Sequence, residues 1–307
     1  MSLLASVTTQ AGAVLATEET WFDEARQRPI PLRLLMPEAA SSEDPDTTPR
    51  PAPLLMISRE PGGASVALMR WAPSLVARGY AVLEITHPGP YLSRMSAEGQ
   101  QAVGSRRPPR ARGVTPEQLL GRSDDVRFVL TELRRRRAVA SASDSPWRHI
   151  DSDRIAYAGE GGTARLVQAM AGERYPGPIP SLAEPSFHAF IAVAPATQGV
   201  RASASERYGA MRRPFLSIVV PSGGEGALPP LARQLALFDA QPEGGKWRLA
   251  PPRAHIAARV TAHHEDAAAD LAAAFLDRYL REAVGAAATL EATAAALRSH
   301  GYRIDSK

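Results

Sequence analysis

Between the strand-like run Arg154-Ile155-Ala156-Tyr157-Ala158 and a helix-like run starting at Ala164 lies Gly159-Glu160-Gly161-Gly162-Thr163. A strand–turn–helix corner written G-x-S-x-G lifts a serine hydroxyl above the end of a sheet, where it can attack an acyl carbon. Here the central position is Gly161 and the closing glycine is replaced by Thr163. Glycine carries no side-chain oxygen, so this corner cannot form an acyl-enzyme. With Ala164 the segment also satisfies the looser pattern G-x-G-x-x-A, whose amides and helix N-terminus suit a pyrophosphate. Position argues against that use. The dinucleotide fingerprint opens the first βαβ unit, this one lies mid-chain, and Glu160 would set a negative charge beside the phosphates.

A second cluster, His263, His264, Glu265 and Asp266, holds metal-ligand types. Neighbouring helix residues point in different directions, so one ion would capture few of them. Glu265 and Asp266 suit the positive end of the following helix instead. No metal and no other cofactor is expected. The chain has no cysteine, which excludes thiolate metal sites, disulfides and a cysteine nucleophile. Arginines gather at Arg106, Arg107, Arg110 and Arg112 and again at Arg134 to Arg137, within a net charge of only +4. Such patches attract phosphate, yet no aromatic residues are interleaved for base stacking and no nucleic-acid motif accompanies them. A basic loop and a helix C-terminus complementing its dipole account for both, so no nucleic-acid partner is expected.

The elements that must position these residues alternate. Residues 1–18 are small and polar and read as a loose arm, leaving 19–307 as one domain. Trp21 to Leu35 reads as hairpin strands turning around Gln27-Arg28-Pro29. Leu54-Leu55-Met56-Ile57 and Ala81-Val82-Leu83-Glu84-Ile85 are short apolar runs, as in strands buried on both faces. Between them Val66 to Arg78 is helical, with Gly79 placed as its C-cap. Residues 90–117 lack apolar periodicity and read as a long loop. The helix Pro116 to Arg137 and a loose connector, Ala140 to Asp153, lead to the glycine corner. Further strands are expected at Phe190–Ala194, Phe215–Val220 and Lys246–Leu249, and helices at Ala164–Ala171, Asp266–Arg281 and Thr289–Ser299. Alternating strands and helices imply a single α/β domain with a doubly wound, mostly parallel sheet covered on both faces. With 307 residues, 44% of them apolar, the chain can bury such a core. No apolar run approaches the roughly 20 residues of a membrane span. The start, Met1-Ser2-Leu3-Leu4-Ala5, lacks the basic flank and apolar stretch of a secretory signal, so a cytoplasmic protein is expected.

The segments in order resemble bacterial α/β-hydrolases of the dienelactone-hydrolase and platelet-activating-factor-acetylhydrolase-like group. The resemblance runs through Asp23 to Leu32, Ser58 to Gly63 and Ala77 to Val82. It continues through His87-Pro88-Gly89, Arg122-Ser123-Asp124-Asp125-Val126, Asp153-Arg154-Ile155, the glycine corner, Val193-Ala194-Pro195 and Ala274 to Leu280. It implies an α/β-hydrolase fold and a serine-based ester or lactone hydrolase. Residue by residue, the implied machinery is incomplete. Gly161 takes the nucleophile position, and Glu160, which stands just before it, leaves the turn in another direction. One oxyanion donor falls on Pro61, after Ser58-Arg59-Glu60, and proline has no N–H to give. The second donor, the Gly162 amide, remains. The triad acid falls near Gly223, with Glu225 as a substitute, and the base position is kept by His255, with His263 and His264 as second choices. Arg59, Glu160, Pro61 and Gly162 would line the remnant cleft. The expected function is a non-catalytic protein that binds a small molecule or partner there. The alternative is an active ester or lactone hydrolase with displaced catalytic groups and His255 as base. The oligomeric state is left open.

Overall fold

Leu54, Leu55, Met56 and Ile57 are all fully buried, because both faces of the strand that holds them are covered. The computed structural model describes residues 3–9, 12–37, 51–59, 66–88, 115–139, 145–175, 179–195, 197, 203–220, 230–252 and 262–307. Three strands lead: β1 (Leu3–Thr9), β2 (Gly12–Asp23) and β3 (Arg28–Pro37). Then come β4 (Ala52–Arg59), α1 (Val66–Ala77), β5 (Ala81–Thr86), α2 (Pro116–Val139), a short 3-10 turn (Pro146–His149), β6 (Ile150–Glu160) and α3 (Gly162–Met170). The C-terminal half adds β7 (Phe187–Val193), α4 (Ala204–Tyr208), β8 (Phe215–Ile218), α5 (Leu231–Ala240), β9 (Lys246–Ala250), α6 (Ala262–Tyr279), α7 (Ala286–Ser299) and β10 (Arg303–Ser306).

These strands form one ten-stranded sheet in the order β1-β2-β3-β5-β4-β6-β7-β8-β9-β10. The central strands β5, β4, β6, β7, β8 and β9 run parallel, and antiparallel pairs close both ends. The winding reverses at β4: β5 returns to one side of it and β6 to the other. In open α/β sheets, functional groups gather outside the carboxyl ends of the strands at such a reversal. One apolar layer holds α1, α6 and α7 against Leu55, Ile57 and Val82. The other holds α2 and α3 against Leu54, Met56 and Tyr157. The expected doubly wound α/β sheet is what forms.

Three local expectations are corrected. The stretch read as a loose arm carries β1 and the start of β2, which pair antiparallel from Leu3↔Glu18 to Thr9↔Gly12. Backbone pairing supplies what the small side chains do not. The hairpin turn falls at residues 24–27, with Gln27 at φ 49° and Arg28 already in β3. The connector before the glycine corner is shorter than expected, because β6 begins at Ile150 and bulges opposite Pro53/Leu54 to keep register with β4. The expected loop at 90–117 lies almost wholly outside the described residues, as do Arg106, Arg107, Arg110 and Arg112.

The second arginine cluster is bound within the chain. Glu19 accepts the indole N–H of Trp21 at 2.8 Å, that of Trp147 at 3.3 Å and Arg136 Nη1 at 2.8 Å. The Arg136 guanidinium also lies 4.5 Å over the Trp21 ring. Arg134 reaches Ser186, Arg135 pairs with Glu132, and Arg137 reaches Ser152. We predict that Arg136→Ala lowers the unfolding free energy by about 1–2 kcal/mol, through the lost ion pair and ring contact. The exposed Arg135→Ala should stay within about 0.5 kcal/mol. Urea unfolding of the two variants measures both.

Candidate active site

Gly161 sits on the sharp turn between β6 and α3 at φ 58°, ψ −113°. Its N–H donates to Val193 O at 3.0 Å, which fixes the turn to β7. Among the described residues, a Cβ built on Gly161 would meet nothing within 4 Å, and the corner itself offers only hydrogen. Gly159 is the opposite case. A Cβ there would lie 2.8 Å from the Thr163 backbone carbonyl, because strand end and helix start nearly touch.

Thr163, which replaces the usual closing glycine, has a bonding role. Its hydroxyl accepts the Glu160 N–H at 2.9 Å and faces Ser58 O and Glu160 O, each at 3.0 Å, as donor. It ties the turn to β4. Gly162 opens α3, where the first N–H groups have no partner inside the helix. Glu160 is half-buried at the end of β6. Arg59 does not stand free beside the corner, because its Nη1 donates to Glu84 Oε2 at 3.1 Å. His255, Glu225 and Pro61 lie outside the described residues.

The second-choice histidines part company. His263 is exposed, while His264 is buried, donates Nε2–H to Val219 O at 3.1 Å and stacks on Tyr302. Burial lowers the His264 pKa, only partly offset by that carbonyl. Glu265 turns to Arg70 and Asp266 is exposed. Among the described residues no three metal-ligand side chains converge.

A cluster that sequence reasoning missed lies on the other face of β4. Ser58 Oγ is 2.8 Å from His87 Nε2, and His87 Nδ1 is 3.0 Å from Asp125 Oδ2. These are the contacts of a Ser-His-Asp triad. Tyr157 closes the chain with a hydroxyl contact to Ser58 Oγ. Arg28 grips Asp125 with Nε at 2.7 Å and Nη2 at 3.0 Å, and Arg26 Nη1 adds a contact at 2.8 Å. Ser58, Asp125 and Tyr157 are 0% exposed and His87 is 1% exposed.

The protons can be placed. Asp125 accepts only, so neutral His87 donates Nδ1–H to it and accepts the Ser58 proton at Nε2, while Tyr157 donates to Ser58. Burial lowers the His87 pKa, outweighing the raising effect of Asp125. Burial alone would raise Asp125, but bonds from His87 and Arg28 hold its carboxyl at about 2. The signal available in the sequence was three polar residues, Ser58, His87 and Asp125, set at the ends of apolar runs or inside an apolar helix face. Nothing local said that they meet.

With this geometry in hand, the chain can be set beside known proteins. No protein-family model and no curated protein matches the sequence. Solved structures do. A ferulic acid esterase from Streptomyces cinnamoneus aligns over 92% of this chain and 89% of its own, at 18% identity and a TM-score of 0.52. A dienelactone hydrolase from Anabaena variabilis aligns over 86% of this chain and 99% of its own, at 15% identity and a TM-score of 0.50. At such identities the likeness is one of fold, and the chain has the α/β-hydrolase fold. No helix among the described residues is long and apolar enough to cross a membrane.

Two outcomes follow. Gly159→Ala should destabilise by about 1–3 kcal/mol, since backbone rather than a flexible side chain blocks the methyl. His87 should also shape the pH dependence of stability. Unfolded, it titrates near its ordinary value of 6.5, while folded it stays neutral to lower pH. The unfolded chain therefore binds the extra proton as pH falls through that range, and stability drops. The Asp125 contribution is full above its ordinary value of 3.8 and is lost only as pH falls toward about 2. Between about pH 7.5 and 5, His87→Gln should flatten the slope of unfolding free energy by up to about 1.4 kcal/mol per pH unit. Equal slopes in the two proteins would remove His87 from this account.

Proposed function

We propose that this chain is a non-catalytic member of the α/β-hydrolase fold, a protein that binds rather than cleaves. The observation that carries the reading is Gly161, at a positive-φ corner with no described residue within 4 Å of its Cβ position and no side-chain atom able to attack a carbonyl. Losing a serine nucleophile costs about 10⁶ in kcat in a well-studied protease. Pro61 would withhold one oxyanion donor, worth a further factor of about 10²–10³. The small-molecule or protein ligand would occupy the space above the corner, between Glu160 and the start of α3.

The test is turnover of short-chain p-nitrophenyl esters together with labelling by a fluorophosphonate. The expected result is no saturable turnover and no labelled serine. Gly161→Ser should fold, because its Cβ has room, at a cost of about 1–3 kcal/mol for the positive φ. By itself it should restore little activity, and Gly161→Ser with Pro61→Leu should restore more. Saturable turnover by the unaltered chain, lost in His255→Ala, would instead support a hydrolase with displaced groups.

One observation favours a second reading, in which Ser58, His87 and Asp125 form a displaced triad: their spacing is that of a working one. Against it stands access. A nucleophile must come within about 3–3.5 Å of the reacting carbon, and Ser58 Oγ is buried between an imidazole and a phenol. The same labelling experiment separates the two readings. A fluorophosphonate adduct mapped to Ser58 by peptide mass spectrometry, and absent in Ser58→Ala, would sink the non-catalytic reading.

A further inference from the structure

The two ends of the sheet are finished differently. At one end β10 has four residues, and Arg303 and Asp305 are charged. Lys246 and Lys307 exchange backbone hydrogen bonds at 2.9 and 3.0 Å. By alternation Asp305 and Arg303 also face β9, while Ile304 and Ser306 turn their backbone groups outward. Arg298 Nε already donates to the outward Ile304 O at 3.1 Å. A second β10 laid antiparallel across both outward residues would set Asp305 opposite its own copy, and like charges directly opposite repel. Brevity, charge and a covered carbonyl all keep such an edge from pairing.

At the other end stands β1, Leu3–Thr9, seven residues with no charge and no proline among them. It pairs with β2 on one side, and no described residue pairs with it on the other. The Thr9↔Gly12 pair closes a two-residue hairpin loop, so that pair is a hydrogen-bonded one. Alternation then commits the backbone groups of Leu3, Ala5, Val7 and Thr9 to β2 and turns those of Leu4, Ser6 and Thr8 outward. Neither charge nor brevity protects this edge as it does β10. An open edge of this kind takes up a strand brought by a partner.

The outward residues Leu4, Ser6 and Thr8 are spaced symmetrically about Ser6. A second copy laid antiparallel, on a two-fold axis through Ser6, pairs Leu4 with Thr8, Ser6 with Ser6 and Thr8 with Leu4. Each pair exchanges two hydrogen bonds, every outward residue is used, and no charged residue of β1 meets another. Joining β1 of one copy to β10 of the next would instead be head-to-tail and open-ended, and Arg298 obstructs it. We infer that two copies of this chain associate through β1, antiparallel about Ser6, and so join two ten-stranded sheets into one. The contact is independent of the Gly161 corner and stands whether or not that corner is inactive. The interface is small, so the association is reversible and of micromolar strength or weaker.

Sedimentation velocity of the full chain over about 5–500 µM, a range suited to a small interface, tests for the dimer. The expected result is a monomer–dimer shift with no larger species. Backbone amide exchange, read by NMR at both ends of that range, locates the contact. The Leu4, Ser6 and Thr8 amides should exchange about fivefold or more slowly at the high concentration, while those of Ala5 and Val7, already bonded to β2, should change less. Ser6→Lys and Ser6→Glu should each be monomeric, because like charges meet at the axis, and an equimolar mixture of the two should recover the dimer. Should either variant fail to fold, the exchange rates of the unaltered chain still decide. A chain that stays monomeric throughout overturns the proposal, as it would if the edge served a strand from a different protein. Open-ended growth overturns it too. So does a dimer that leaves the Leu4, Ser6 and Thr8 amides as fast as before, or a charge mixture no better associated than either variant alone.

Discussion

One buried carboxylate organises the half of the molecule around the glycine corner. Asp125 has no exposed surface and would be intolerably costly as a lone charge. It is met from three directions: by Arg26 and Arg28 at the β2–β3 turn, by His87 after β5, and through His87 by Ser58 on β4. Arg28 also holds Pro88 O at 2.7 Å, so the same guanidinium fixes the chain just beyond β5. Tyr157 on β6 completes the line. A charge of this kind cannot be half satisfied, and so helix α2, three strands and a turn must be in register together.

The same network joins a serine, an imidazole and a carboxylate in one line. Ser58, His87 and Asp125 reproduce the contacts of a hydrolytic triad, with the imidazole in the tautomer that such a triad uses. The serine oxygen is fully buried between His87 and Tyr157. The sharpest turn of the sheet is the corner after β6. There Gly159 is squeezed against Thr163, the turn is stapled to β4 by the Thr163 hydroxyl, and no described residue comes within 4 Å of a Cβ built on Gly161. The corner keeps its sharp turn, with glycine at its centre.

The two faces of β4 divide these tasks. Alternation sends Ser58 to one face and Arg59 to the other. The first joins a network in which the proton donors and acceptors of serine, imidazole and phenol are matched. The second meets Glu84, which Arg33 also approaches, and this pair lies on the sheet's other face.

Much of the framework was legible in the chain. Apolar runs such as Leu54–Ile57 and Val82–Leu83, the glycine after α1 and the glycine-rich corner are local signals, and local physics sets them: burial on both faces, and turns that only glycine enters easily. They determined the doubly wound α/β sheet and the absence of a serine at its corner. The N-terminal hairpin was not legible, because its stability comes from pairing with a neighbour rather than from its own small side chains. Nor was the C-terminal strand β10, which exists by pairing with β9 more than 50 residues earlier in the chain. Arg59, expected beside the corner, proved committed to Glu84, which stands 25 positions away. The Ser58–His87–Asp125 chain spans three separate segments and could be assembled only by the sheet. Residue type and spacing along the chain fix what each segment prefers. Which polar groups meet is decided when distant segments are brought together and water is excluded from between them.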